Sequence, residues 1–531
     1  MSRTHLAAVA LLLAAPVNLA SQSPPASPRP PARSAYEELQ TFSGVLNHIR
    51  LNYPDSVGYS ELVAAAIRGV LKALDPHSYY VSRLEWERQS ALERGELYTI
   101  GVALEDVEGI PTVIAVAPKS PAFKAGILAG DRLRTLNDTS IAGVAVRSLE
   151  LRLAGEKGSR VRVGLERGPR LEPDTFSVTV KRGEFHVRTV SIVRMVNATT
   201  GYLRLDDFMG EASKELRDGL RTLRDKRAEQ IILDLRGNPG GSVTAAVEIA
   251  SEFFPKNTVV FRTHGRKRDV DTTFATKRDG DFRNIPLIVL IDEGSASASE
   301  ALAGSLQDHD RALIIGRRSF GKALMQTVFF LPGGDNIWLT VGRILTPNGR
   351  FIQRRYRGVA VEQYYSFAGK SGAEEDTTTI YKTDNGRPVR GGGGIVPDVV
   401  LQRGSRLPVW WSVAADSGLD DAVADSVAAT LDASPAGRTA WMAKPEDWAA
   451  RLLPPFLDRV RTRFHVAAQP DSAQARQLSY QLAARTVQVR WGMDAVEEFL
   501  VTWDAGVRTA VANFPKLREL LAPPSPPGSP R

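Results

Sequence analysis

The chain has 531 residues and a mild net charge of +8; 43% are hydrophobic, 24% charged, and none is cysteine. The proportions are globular and exclude a fibrous, wholly disordered or polytopic membrane protein, and the length calls for three to four domains. The missing cysteine excludes a disulfide scaffold, a thiolate zinc site, an iron–sulfur cluster and a cysteine nucleophile.

Residues 1–20 place Arg3 and His5 before an apolar run from Leu6 to Val17 and a small residue, Ala20. That is the layout of a cleaved secretory signal, which predicts a periplasmic or secreted protein. The run is too short to cross a bilayer comfortably. Residues 21–34 (SQSPPASPRPPARS) read as a stiff, Pro-rich linker. Residues 35–95 form an N-terminal helical region: Leu39, Phe42, Leu46 and Ile49 repeat at helical spacing. Val63, Ile67, Val70, Leu71 and Leu74 do the same after a Ser60 cap. Residues 96–185 turn to β-type segments, such as Val113–Val116 and the alternating Arg160–Leu165. Within 186–405, apolar strands alternate with helices from about 201 to 345, the pattern of a layered α/β core.

Residues 406–522 are helical again. Trp448, Leu452, Leu453, Phe456, Val460 and Phe464 make one stripe; Val489, Val496, Leu500, Trp503 and Val507 make another. Both are expected to face a core. Residues 523–531 are a Pro-rich tail, expected to be disordered. The densest basic stretches, 264–268 and 354–357, lack the interleaved aromatics on which nucleic-acid bases stack. They read as solvated loops, so no nucleic-acid partner is expected.

Three runs carry candidate chemistry. The first is Ser120-Pro121-Ala122, then Ala125-Gly126, then Gly130-Asp131, preceded by Tyr98-Thr99-Ile100-Gly101. It resembles a PDZ domain. The resemblance implies that the Tyr98, Thr99, Ile100 and Gly101 loop holds a chain-terminal carboxylate while the peptide extends the sheet. Related protease-linked modules often read Leu-Arg-Gly where this chain has Leu153-Ala154-Gly155, which leaves the coupling of that module to an active site open.

The second run follows the apolar strand Ile231–Leu235 with Arg236-Gly237-Asn238-Pro239-Gly240-Gly241-Ser242. Glycines there let backbone amides point at an anion, either an oxyanion or a phosphate, although the Walker Gly-Lys-Ser/Thr is absent. The third follows the strand Leu287–Ile291 with GSASASE and a helix. A serine at a helix start meets the positive end of the helix dipole. It also needs a base. His309, twelve residues on, is one candidate; Lys322, among apolar residues that would lower its pKa, is the better one.

The run from Gly294 to Thr327 resembles the C-terminal processing peptidases, the tail-specific serine proteases. So do LDPHSYY (74–80), DLRGNPGG, LTVGRILTPNGRFI and GGGGIVPDV (391–399), all in the family's order. The resemblance covers about residues 36–403. It implies a crotonase/ClpP-like layered α/β protease core with an inserted PDZ domain and helical N- and C-terminal regions. It assigns Ser297 as nucleophile, Lys322 as general base and Gln326 as its orienter. Gly240 or Gly241 with Ala298 would supply the oxyanion hole. Ala323 stands where the family usually has glycine, a tolerable change unless that position needs positive φ. No metal or other cofactor is expected. Protein substrates with apolar C-termini are the expected partners, and an adaptor protein or homo-oligomer stays open. The rivals are a catalytically silent PDZ scaffold and a small-ligand carrier.

Overall fold

The computed structural model describes residues 34–93, 97–107, 109–117, 120–128, 130–167, 173–184, 188–365, 379–404 and 407–521. The expected signal, all of the linker except Ser34, and the tail from 523 lie outside them, as do Pro118, Lys119 and Ala129 of the PDZ-like run. Residues up to Ile67 form one compact unit and Arg68–Arg531 another. In the first, the helix Ala35–Asn52 starts on a capping box, with Ser34 and Glu37 exchanging hydrogen bonds. None of its residues is buried. The next helix starts at Tyr59, one residue ahead of the expected Ser60 cap.

In the second unit the central sheet runs 399–400, 313–316, 287–291, 230–234, 200–205, 190–195. All neighbours are parallel except the antiparallel pair 190–195 and 200–205. Its strands are apolar without alternation because both faces are covered. On one face Leu203, Leu233 and Val289 pack under the helices Ala212–Asp225, Val243–Ala250 and Ala298–Asp308. On the other, Tyr202, Ile232, Ile288, Leu290 and Leu313 meet Val507, Ala510, Phe514 and Leu517. The C-terminal segment is thus a layer of the core. An antiparallel sheet of Tyr79–Val81, Asn336–Leu345, Val259–Gly265 and Thr272–Ala275 stands beside it, with Leu324–Phe330 also paired to 336–345.

A second antiparallel sheet, in the order 102–107, 110–116, 132–136, 160–167, 174–181, wraps its own core around Ile100, Leu133, Leu149 and Val163. The Ser120 hydroxyl caps the short helix Pro121–Lys124, and the Asp131 carboxylate accepts from Leu128 N–H and from Arg167. Those two roles account for the small and acidic letters of the run: each closes a turn.

Of the two C-terminal stripes, the first is buried at Trp448, Leu452, Phe456 and Val460. The second departs from expectation. Gly492, at φ 83°, ends the helix Ser472–Trp491, and Asp504 separates Met493–Trp503 from Ala505–Asn513. Three helices share the stripe, so Val489 and Leu500 are exposed while Val496 and Val507 are buried. The basic stretch at 354 also departs: Arg354 is buried, its guanidinium 4.6 Å from the centre of the Phe320 ring. Arg266, Lys267 and Arg268 are exposed, as a solvated loop requires.

Candidate active site and peptide groove

The two loops leaving the carboxyl ends of the 230–234 and 287–291 strands are sewn together. The Ser295 hydroxyl donates to the Leu235 carbonyl (2.7 Å) and the Ser299 hydroxyl to the Asn238 carbonyl (2.9 Å). Ala296 N–H donates to the same Asn238 carbonyl at 3.0 Å. Both serines are buried, whereas Ser297 between them is partly exposed. Of the three, Ser297 is the one a substrate can reach. Its backbone, at φ 56° and ψ −112°, is in a conformation L-residues rarely adopt, at the N-cap of the Ala298–Asp308 helix. Ser295→Ala and Ser299→Ala should each keep measurable turnover while losing about 1–3 kcal/mol of stability. Thermal melting alongside turnover of an unfolded reporter protein checks this, and an inactive, well-folded Ser299→Ala would contradict it.

The glycine loop touches the nucleophile's turn directly. A Cβ on Gly240 would lie 2.6 Å from the Ala296 carbonyl and 2.9 Å from both Ala298 N and Ser297 Cβ, at φ 98°. Glycine is required there. The Gly240 N–H itself donates to Asn238 Oδ1 (2.8 Å), and Asn238 Nδ2 to the Leu205 carbonyl. Gly241, at φ 143°, is pressed against Phe208. Ala298 is the first residue of the helix, where N–H groups have no intrahelical acceptor.

Lys322 is brought to this turn by Glu300. One carboxylate oxygen of Glu300 accepts from Ser297 N–H and from Lys322 N–H, both at 2.8 Å. The two backbone nitrogens therefore lie within twice that distance of each other. The second oxygen accepts from the Ser319 hydroxyl and Gly321 N–H, both at 2.6 Å. Burial pushes the Glu300 carboxyl up to about 7 against these four donated bonds. Burial likewise lowers the Lys322 amine, opposed by the charges of Glu300 and Asp75. Gly321, at φ 90°, sits against Arg354 and the 393–394 backbone. Ala323 is not at positive φ, and its N–H donates to Gln353 Oε1 (2.8 Å). Alanine therefore fits.

Gln326 Nε2 donates to Thr340 Oγ1 (3.2 Å), which donates on to Asp75 (3.1 Å). A bulge between Met325 and Gln326 turns the strand at that point. Asp75 also accepts from His77 N–H, Ser78 N–H and the Ser78 hydroxyl. The His77 ring is 2.8 Å from the Tyr364 hydroxyl; burial and the neighbouring Lys322 push it down to about 4, so it is neutral. His309 sits at the other end of the Ala298–Asp308 helix, about 16 Å along its axis. Its two ring nitrogens engage Asp384 (2.6 Å) and the Val259 carbonyl (2.8 Å). The side chain is largely buried.

In the small β-domain, strand 102–107 is an edge, with helix Val146–Leu153 beside it. Between them, Thr99, Ile100, Val102, Leu151 and Leu153 line a cavity of about 290 Å³, with Gln89 and Leu92 also in its wall. Tyr98 pairs through its N–H and C=O with Gly155, and the Ile100 and Gly101 carbonyls accept from Ala122 and Ala117 N–H. The loop's carbonyls are thus turned into the domain. The Leu104 N–H on the strand's edge is held by Glu150 Oε1 (3.3 Å).

Residues 199–365 match the family model for peptidase family S41, and residues 99–184 match that for a PDZ domain. A carboxy-terminal-processing protease of Bartonella bacilliformis is 32% identical over 327 residues, 60% of this chain and 74% of that one. Carboxy-terminal processing protease CtpB of Bacillus subtilis is 32% identical over 309 residues, 57% of this chain. The match spans 63% of CtpB, just under two thirds of its length. Among solved structures, a photosystem II D1 C-terminal processing protease aligns at 25% identity with a TM-score of 0.43, covering 70% of this chain and 87% of that one.

Proposed function

This chain belongs to the carboxy-terminal processing serine proteases of peptidase family S41, with a PDZ domain, and from that premise we propose an exported endopeptidase working through a Ser297–Lys322 dyad. The observation that carries the dyad is the shared Glu300 oxygen, which ties the Ser297 and Lys322 backbones together. Lys322, its amine pKa lowered by burial, takes the proton from Ser297 Oγ as that oxygen attacks the scissile carbonyl. The N–H groups of Ala298 and Gly241 hold the oxyanion, since that of Gly240 is committed to Asn238. Lys322 then protonates the leaving amine, and water resolves the acyl-enzyme. Gln326 acts through Thr340 and Asp75, which fix the wall beside the amine.

Substrates would enter through apolar C-termini, the terminal carboxylate lying at the Thr99–Gly101 amides and the last side chain in the apolar cavity. To add to the edge strand, the peptide must displace Glu150 from Leu104. The dyad is tested by a fluorophosphonate probe and peptide mass spectrometry. An adduct on Ser297 is expected, and a silent scaffold would carry none. Recognition is tested with one peptide as free acid and as amide. Losing the charge-assisted bonds should weaken binding by about 1.5–3 kcal/mol, roughly 10- to 100-fold. Equal affinity would rule this mode out.

A further inference from the structure

The family match ends at residue 365, yet a residue well beyond it reaches the glycine loop. Arg236, the first residue of that loop, uses Nε and Nη2 on Asp234, which is fully buried. Its Nη1 donates to both carboxylate oxygens of Asp504, at 3.0 and 2.9 Å. Asp504 sits at the N-cap of the Ala505–Asn513 helix, where Oδ1 also accepts Val507 N–H (2.8 Å). That helix is pinned in turn by Val507, Ala510 and Phe514 on the far face of the central sheet. Arg204 holds the Arg236 carbonyl, and Asp292 holds Gly237 N–H. The guanidinium thus lies between two carboxylates, one from the core and one from the C-terminal layer.

We propose that Asp504 is a positioning residue for the reaction: by clamping Arg236 it sets the glycine loop against the Ser297 turn. Gly240 has no room to spare against Ala296 and Ser297. A shift at Arg236, five residues before Gly241, therefore moves that proposed oxyanion donor relative to the nucleophile. Removing the Asp504 charge leaves Nη1 without its anionic partner in a largely buried site and frees the loop to move. The inference rests on the dyad reading, because it acts through the loop that reading places at the oxyanion.

The test is Asp504→Asn, backed by Asp504→Ser. Both new residues still cap the helix, and neither carries the charge. With an unfolded reporter, kcat should fall about tenfold with KM within about twofold, the pattern of a misplaced donor. The rate of phosphonate labelling of Ser297 should fall in proportion. Leu223→Ala, which removes packing of the Ala212–Asp225 helix against Gly201 on the other face of the sheet, should lower the melting temperature but keep kcat when assayed well below it. A kcat within twofold of the parent in both Asp504 variants overturns the proposal and leaves the dyad standing. A parent chain that takes no label at Ser297 overturns the dyad, and this proposal with it.

Discussion

Lys322→Arg should lose turnover almost as completely as Lys322→Ala, by on the order of 10²-fold or more. Guanidinium keeps the positive charge but stays protonated, so it cannot accept the serine's proton. If the lysine served only to place charge near the oxyanion, arginine would restore much of the rate. Substantial activity in Lys322→Arg, or its loss in a well-folded His309→Ala, would move the base elsewhere. The same assignment fixes the sign of the pH dependence. The amine works when neutral, so activity falls as pH drops through its pKa, which burial holds below the ordinary lysine value. Glu300, pushed up to about 7, ionises nearby, so the profile should also be recorded in Glu300→Gln. There the negative charge that raises the lysine is gone. The lysine limb should shift to lower pH, with kcat reduced because four donated bonds are disturbed.

Ser297→Ala should abolish peptide cleavage, by on the order of 10⁴-fold or more, without unfolding the chain. Removing a partly exposed hydroxyl opens no cavity, and the Glu300 bond to the residue 297 N–H remains. Its melting temperature should match the parent's within a few degrees, while the PDZ domain still binds free-acid peptides. Full activity in the purified variant would remove Ser297 from the mechanism. Binding kept with cleavage lost makes this variant the natural trap for identifying substrates by mass spectrometry.

The strands 230–234 and 287–291 and the helix after Ser297 were readable because local pattern and burial agree: unbroken apolar runs followed by glycine or small-residue turns. The choice of Ser297 over its neighbours came only from family resemblance. Its physical reason, that Ser295 and Ser299 are spent on the opposite loop, is a contact across some sixty residues of sequence. Glu300 stands in plain view in SASASE, but a glutamate three after a helix start reads as half of a capping box. Nothing local says that it also gathers Ser319, Gly321 and Lys322. Asp75 and His77 were visible within LDPHSYY as a motif without a role, because their partners Thr340 and Tyr364 are hundreds of residues away. Arg354 looked like a solvated charge because the aromatic ring it stacks on, Phe320, is not its neighbour in sequence. The stripe from Val489 to Val507 failed for a local reason: one glycine at positive φ restarts the helix and rotates its faces.

The layer formed by Val507, Ala510, Phe514 and Leu517 also bears on the order of events during synthesis. The strand Leu313–Gly316 leaves the ribosome on the order of 10 s or more before those residues do. Through that interval one face of the central sheet is bare, and Arg236 has yet to meet Asp504. A growing chain thus holds Ser297 and Lys322 long before it holds the support for its glycine loop. On the proposed role of Asp504 such an unfinished chain would turn over more slowly than the complete one, and a chain cut short ahead of Asp504 would present a sticky apolar sheet to the quality-control machinery.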